Sequence, residues 1–497
     1  MTGALTVEAF RKGEHLRRSS RSRISRDEWV ILGAAAPTIF ISPFLFGGMD
    51  WWSQVTIACL QALIFLVALT PFSGFAAWRQ RLVKLIKLPP FWLGGLFVLY
   101  VIIQALNPSM EQVYVDESRY FIADRKPELF VSWLPQSILS NFYIMNAWRM
   151  VIFWAGAWAL VCGLWMGLSS RKAWLALGWM ALGTGAVLSL ASIAHHLSSN
   201  EHLFWFEQFK RSKGAFGPFV YRNQAAAYLY LTMGLGFAMF LHFLRRGENR
   251  SGVHWLALIF SLACLLGLVL CPSRGGWIGG ASVLLVFLIL LPFAIRWREG
   301  FSKPALVVSG LLIAGVTGIG FWIARDFDFS QMAKKWADVQ SGESVSLKSR
   351  MLLSEMTWDM FEDKPWIGWG AGSFRYKYHY YALAYPEIYF IGKTHWKKYG
   401  ELTMYYRQAH NDHFQFLAEY GVVGYGIMVL YCVSWVVYVF TCRTASIDCL
   451  MVIGIGVVFV FHNFGDFLMQ NPIDLQAILI VMVFEVGLLN KKALSKC

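Results

Sequence analysis

The stretch RQAHNDHFQFLAEYGVVGYG, Arg407 to Gly426, decides how this chain is organised. It sets His410, Asn411, Asp412 and His413 in front of an apolar run that begins at Tyr420 and continues to Thr441. About 20 such residues cross ~30 Å of hydrocarbon, so the polar group marks the mouth of a membrane-spanning helix. Working outward, apolar runs recur at 29–48, 52–71, 90–107, 143–168, 173–194, 223–244, 254–271, 276–296, 304–324, 420–441, 447–463 and 472–490. Each is expected to be helical, because a backbone in lipid must satisfy its polar groups within the segment. The expected fold is an all-α polytopic membrane protein with roughly twelve transmembrane helices. Composition agrees: 57% hydrophobic residues, 15% charged residues and a mean hydropathy of +0.48 lie outside the soluble globular range.

A net charge of +14 would suggest nucleic acid in a soluble protein. Here the cations follow topology instead. The tail 1–28 carries Arg11, Lys12, Arg17, Arg18, Arg21, Arg23 and Arg26, and alternate loops carry Arg79 to Lys87, Arg171 and Lys172, Arg245 to Arg250, Arg296 to Lys303, Arg443, and Lys491 to Lys496. The positive-inside rule then places both termini in the cytoplasm, with the first span an uncleaved signal-anchor. Membrane lipids suffice as the partner of this charge, and no nucleic acid is required. The segments are a basic cytoplasmic tail 1–28, nine helices over 29–324, a large outward loop 325–419, three helices over 420–490, and a cytoplasmic tail 491–497. Inward loops are short and hold no phosphate-binding glycine motif. Cys59, Cys162, Cys264, Cys432 and Cys449 fall in or beside spans without metal-site spacing, and read as small buried hydrophobes.

The loop 325–419 is too long to be without function. Its segment 331–362 has helical patterning that Asp363-Lys364-Pro365 should stop. WIGWGAGSF follows as a turn through Gly368, Gly370 and Gly372, then an aromatic and basic stretch, then a return helix reaching His410. The aromatic faces of 376–390 suit sugar rings, although tyrosine and tryptophan belts at membrane interfaces are commoner.

Five outward stretches hold residues their surroundings do not demand. They are FVYRNQAAAYL with Arg222 and Asn223, CPSRGGWIGG with Arg274, LKSRMLLSEMTWDMF with Arg350, AHNDHF with His410 and Asn411, and FHNFGDFLMQNP with His462 and Asp466. Each alone has a structural explanation. Asn411 or Asp412 can cap a helix, Arg274 can snorkel, and Arg350 can sit on a solvated helix face. Their convergence on one side of the membrane favours a site. Arg274 occupies a short outer turn where few cations are expected, and Arg149 lies below the outer surface in the fourth span, where charge is costly. Guanidinium groups bind phosphate through paired, charge-assisted hydrogen bonds, which suits a lipid-linked diphosphate. A histidine, ordinarily titrating near ~6.5, can take a proton from an incoming hydroxyl. His410 and His413 could share a helix face, but no paired carboxylates mark a Mg²⁺ or Mn²⁺ site. Arginines are expected to stand in place of a metal, with no cofactor.

In order, these motifs resemble the O-antigen ligase and polymerase superfamily, the Wzy-C family, over 214–472. The resemblance implies about twelve helices with a large periplasmic loop in the bacterial inner membrane. It also implies metal-free transfer of a glycan from undecaprenyl diphosphate to lipid A-core. His410 matches the family's proposed base, and Arg274 and Arg350 match the arginines assigned to the diphosphate. Arg222, Asn223, Asn411, Arg149, His462 and Asp466 are the substrate-binding candidates. The basic tail and the loop 108–142 have no counterpart in the family pattern. Polymerases share these motifs, so the acceptor can equally be another lipid-linked repeat. A transporter or flippase for the same lipids is the rival class. It would place polar residues near the bilayer midplane in paired repeats, whereas these gather at outer helix ends.

Overall fold

A computed structural model of the chain describes residues 23–116, 119–198, 201–210, 214–246, 252–296, 337, 340, 344–390, 406–441 and 446–489. The expected span 304–324, most of the basic tail, Arg443 and the terminal lysines lie outside them, as does the return helix up to residue 405, whereas residues 406–411 are not helical, so no helix reaches His410.

The chain is mostly helical, and eight of the described helices are long and apolar enough to cross a membrane. A first helix, α1 (Arg26–Phe40), is followed by α2 (Trp51–Leu69), a short amphipathic α3 (Phe75–Ile86) and α4 (Pro89–Leu106). Beyond a small sheet, α5 (Ala147–Gly167), α6 (Arg171–Leu197), α7 (Arg222–Arg246), α8 (Val253–Leu270) and α9 (Arg274–Arg296) alternate in direction. The segment 344–390 holds α10 (Val345–Asp363), α11 (Phe374–Tyr381) and the single turn α12 (Glu387–Phe390). The described bundle ends with α13 (Asp412–Thr441), α14 (Ile447–His462) and α15 (Pro472–Leu489). The helix α7 is the bundle's axis, with its membrane window wholly buried.

Two departures from an all-helical reading have local causes. The loop 108–142 folds as a three-stranded sheet in the order β2-β1-β3: β1 (Pro108–Tyr114), β2 (Tyr120–Asp124), β3 (Ser137–Leu139). Outside the span nothing forces backbone groups into a helix, and β1 satisfies its own between antiparallel β2 and parallel β3. A two-stranded ribbon, β4 (His202–Leu203) with antiparallel β5 (Phe206–Lys210), lies in the loop between α6 and α7. Of the cysteines expected inside, Cys162, Cys264 and Cys449 are buried, but Cys59 and Cys432 are exposed. An apolar bundle surface suits a thiol as well as a core does, because lipid tails are no more polar than the core.

The external helices are keyed to the bundle through two glycine turns. The helix α13 breaks at Gly421 (φ +62°, ψ −177°), a backbone region open essentially only to glycine. Into the break fits the turn 365–370: the amides of Val422 and Val423 donate to the carbonyls of Pro365 (2.8 Å) and Trp366 (3.1 Å). In return, the amides of Trp369 and Gly370 donate to Ala418 and Glu419 at 2.8 Å each. Tyr100 and Gln104 of α4 brace the junction, Tyr100 donating to the carbonyl of Tyr420 (2.7 Å) and Gln104 to that of Glu419 (3.0 Å). A Cβ at Gly421 would stand 2.3 Å from the Trp366 carbonyl oxygen. Gly421→Ala is therefore expected to destabilise the protein by about 3 kcal/mol or more. Thermal unfolding in detergent measures this, and a change below about 1 kcal/mol would mean the junction is not the keystone described.

Candidate active site

The polar stretches singled out in the sequence meet at the end of the bundle that carries the long loops, around one carboxylate. Asp466 follows α14 in the turn leading to α15, and its side chain is wholly buried. Asn223, on the first turn of α7, donates Nδ2 to Asp466 Oδ2. Arg350, on the first turns of α10, lies 3.7 Å from the same oxygen and donates Nη1 to the Gly465 carbonyl at 2.5 Å. His410 places Nδ1 3.8 Å from Asp466 Oδ1, which is ion-pair distance rather than a hydrogen bond. Its Nδ1 is buried without a hydrogen bond, so Nε2 is the ring atom left to meet a substrate.

The sequence holds His410 there by a clamp two residues further on. The Asp412 amide donates to the carbonyls of Asn463 (2.9 Å) and Asp466 (3.2 Å), and its carboxylate accepts from Met469 N (2.7 Å) and Gln470 Nε2 (2.8 Å). The start of α13 is thereby bolted to the turn that carries Asp466. Asn411 supplies the cap, accepting from Phe414 N at 3.2 Å. Directly before cap and clamp, His410 adopts φ +56°, a left-handed conformation that costs a non-glycine residue about 1 kcal/mol or more.

Charge and aromatic faces complete the group. Burial alone would raise the Asp466 carboxyl, but the charges of Arg350, His410 and His462 hold it well below the usual carboxylate range. Burial likewise opposes the charge on Arg350, yet Asp466 and Tyr221 hold its guanidinium above the ordinary value. The Tyr221 hydroxyl accepts from Arg350 Nη2 (3.2 Å) and Asn223 Nδ2 (2.8 Å), and burial with Asp466 pushes its ionisation up, so it stays a neutral phenol. Phe467 stacks on Tyr221 at 5.0 Å and meets His410 edge-on at 5.0 Å.

Arg274 opens α9 between two residues tied to this group. Ser273 Oγ donates to Asn223 Oδ1 at 2.7 Å, and Gly275 leaves room for His462, whose Nε2 would lie 2.3 Å from a Cβ there. His462 Nδ1 lies 3.2 Å from the Tyr230 hydroxyl. Arg222 stands at the head of α7 between Tyr221 and Asn223. Arg149 is held elsewhere, by Gln54 and the carbonyls of Tyr143 and Ile144. His413 does not share a face with His410. It is turned to the Tyr425 hydroxyl (2.7 Å) and the Val460 carbonyl (2.9 Å). Among the described residues, no group of three His, Cys, Asp or Glu side chains could hold a metal ion.

Sequence reasoning missed Tyr221, Phe467 and the Asp412 clamp. Tyr221 precedes Arg222 and Asn223 in a quoted motif, but an aromatic at a helix entrance has no distinctive signal. The aromatics of 376–390 divide sharply. Tyr376 and Tyr378 are packed in the interior while Tyr380 is exposed, so the first two hold the loop together instead of meeting sugar.

In chemical terms, the group sets Arg350 and His410 against a buried carboxylate that their charges hold ionised. A comparison with curated proteins found no match. Residues 259–429, which include Arg274, Arg350 and His410, match the Wzy_C family model, described as O-Antigen ligase. The match covers about a third of the chain, and it agrees with the resemblance of the motifs to the O-antigen ligase superfamily.

Proposed function

We propose that this protein transfers a glycan from a polyprenyl diphosphate carrier to an acceptor hydroxyl at the periplasmic face of the bacterial inner membrane, with lipid A-core as the acceptor. The carrying observation is the convergence of Arg350, Asn223 and His410 on buried Asp466, with Arg274 one residue from Ser273 in the same network. His410 Nε2 takes the proton from the attacking hydroxyl, and Asp466 orients the ring and stabilises the imidazolium that forms. Arg350 and Arg274 neutralise charge on the departing diphosphate, which needs no metal when two guanidiniums do it. Direct displacement inverts the anomeric carbon. Asn223, Arg222, His462 and Asn411 line the place where donor and acceptor meet.

The test is transfer by purified protein in nanodiscs, supplied with polyprenyl-diphosphate glycan, lipid A-core and excess chelator. Glycosylated lipid A-core is expected, with the chelator changing the rate less than twofold. Arg274→Gln is expected to lower kcat by about 10²-fold, the usual scale for removing one transition-state charge contact. Lengthened lipid-linked chains with lipid A-core untouched would instead assign the polymerase activity. Loss of all transfer in chelator would overturn the metal-free step.

A further inference from the structure

The left-handed backbone of His410 opposes its own side chain, and such a conformation persists only where the surroundings impose it. On the far side the chain is fixed by the Asp412 amide, which donates to the carbonyls of Asn463 and Asp466. On the near side the holder is Gln415, on the first turn of α13 and only 2% exposed. Its Oε1 accepts from the amide of Ala409, directly before His410, at 2.8 Å. Position 410 therefore lies between two anchored amides.

A glutamine that only caps a helix makes one bond, back to the amide of the cap residue itself. Gln415 reaches further. The cap is Asn411, and Gln415 bonds the amide two residues before it. Its Nε2 meanwhile faces three acceptors, Gln408 Oε1 (2.7 Å), Gln470 Oε1 (3.0 Å) and Glu419 Oε1 (3.1 Å). The orientation of this amide is fixed by its neighbours, since a backbone N–H only donates and an ionised carboxylate only accepts. The same rule orients Gln470, whose Nε2 donates to Asp412 Oδ1 at 2.8 Å and whose Oε1 is left for Gln415. Glu419 in turn accepts the amides of Gly372 (3.0 Å) and Phe374 (3.2 Å). One buried side chain thus joins the approach to His410, the turn that carries Asp466 and the external segment at the head of α11. Buried polar networks connected in this way fix a single geometry.

We infer that Gln415 is a positioning residue for the base: through the Ala409 amide it holds His410 left-handed, with the imidazole facing Asp466. The inference rests on the reading of His410 as that base. Gln415 itself touches no reacting atom. Without its hold, the backbone at 410 relaxes toward the right-handed or extended regions, which are lower in energy for histidine, and the ring moves with it. A displacement of about 1 Å at a catalytic group costs on the order of 10²-fold in rate, while the groups that bind donor and acceptor stay in place.

The experiment compares Gln415→Met, which keeps the length of the side chain but neither polar atom, with Gln415→Glu, which keeps the oxygen that Ala409 donates to and loses the amide donors. Transfer is read in nanodiscs with polyprenyl-diphosphate glycan and lipid A-core. Gln415→Met is expected to lower kcat about 10²-fold with both KM values within about twofold, whereas Gln415→Glu keeps kcat within about tenfold of wild type. Thermal stability should not follow that order. Gln415→Glu should melt no higher than Gln415→Met, because it sets a second buried carboxyl beside Glu419. A kcat that falls in step with melting temperature across the two variants, a Gln415→Met kcat within about threefold of wild type, or a loss confined to KM overturns the proposal. If Gln415→Met does not fold, Gln415→Asn, which keeps an amide but is too short to reach Ala409, takes its place with the same expectations. Melting temperatures alone read the same hold, and so remain decisive if no transfer is seen and the transferase reading fails. His410→Gly relieves strain in wild type but has none to relieve once Gln415 is gone. Its Tm shift should therefore be less favourable in the Gln415→Met background, by on the order of 1–2 °C. Equal shifts in the two backgrounds overturn the proposal whatever the transfer assay shows.

Discussion

Asp466→Ala is expected to lower transfer by about 10³- to 10⁴-fold and to destabilise the protein by about 3 kcal/mol. The catalytic loss follows from geometry. His410 Nδ1 faces this carboxylate, and removing the partner that orients an imidazole and stabilises its protonated form costs on that scale elsewhere. The stability loss follows from what is left behind, because Arg350, with 28% of its side chain exposed, would then be a partly buried guanidinium without its counter-ion. Asp466→Asn separates the two effects. It keeps the shape and a hydrogen-bonding group for Asn223, so most of the packing should survive while the charge, and with it the rate, is lost. The carboxyl is held below its ordinary value in the fold, so its stabilising contribution is fully present above pH ~4 and is lost as pH falls below that. Wild type should therefore lose thermal stability more steeply than Asp466→Asn between pH ~4 and the acid limit. Parallel curves would mean that the charge of Asp466 contributes nothing to the fold.

The parts of this molecule that obey a local rule were legible in the sequence. Apolar runs at 52–71, 90–107, 173–194, 223–244 and 254–271 correspond to α2, α4, α6, α7 and α8 within a few residues, because lipid leaves the backbone one solution. Asp363-Lys364-Pro365 does end α10, and Gly368, Gly370 and Gly372 do make a turn, each with positive φ. The site was legible as a list of residues rather than as an arrangement. Arg350, His410, Asn223 and Asp466 were all identified, but Asn223 and Asp466 are separated by 243 positions and nothing local pairs them. The central place of Asp466 was missed for the same reason, and so was the Asp412 clamp, since an aspartate before an apolar run reads first as a cap. The cap turned out to be Asn411. The sheet over 108–139 was missed because its parallel strand β3 pairs with β1 only after a long excursion. Burial, which decides that Tyr376 is structural while Tyr380 is exposed, has no signature in an aromatic-rich stretch.

His410→Gly is expected to abolish detectable transfer, a loss of at least about 10³-fold, while leaving the protein as stable as wild type or slightly more so. The two halves of that expectation have independent causes. Removing the imidazole removes the base. At φ +56°, however, the backbone of residue 410 sits where an L side chain costs about 1–2 kcal/mol and glycine costs nothing comparable. Glycine's greater freedom in the unfolded chain returns roughly 0.4–1 kcal/mol of that, so the net change lies between zero and about 1 kcal/mol in favour of the variant. The side chain offsets only part of this, since its Nδ1 approaches Asp466 at 3.8 Å without a hydrogen bond and its ring meets Phe467 edge-on at 5.0 Å and Tyr221 at 6.0 Å. His410→Ala should also lose transfer, but keeps the strain and so should fall below the glycine variant in thermal stability. A histidine retained for the fold would give the opposite order, with both variants less stable and both still active. Strain held at a residue whose removal stabilises the fold but stops the reaction is what a functional position looks like in energetic terms. Measuring transfer and unfolding on the same two variants therefore tests whether position 410 holds its left-handed histidine for chemistry.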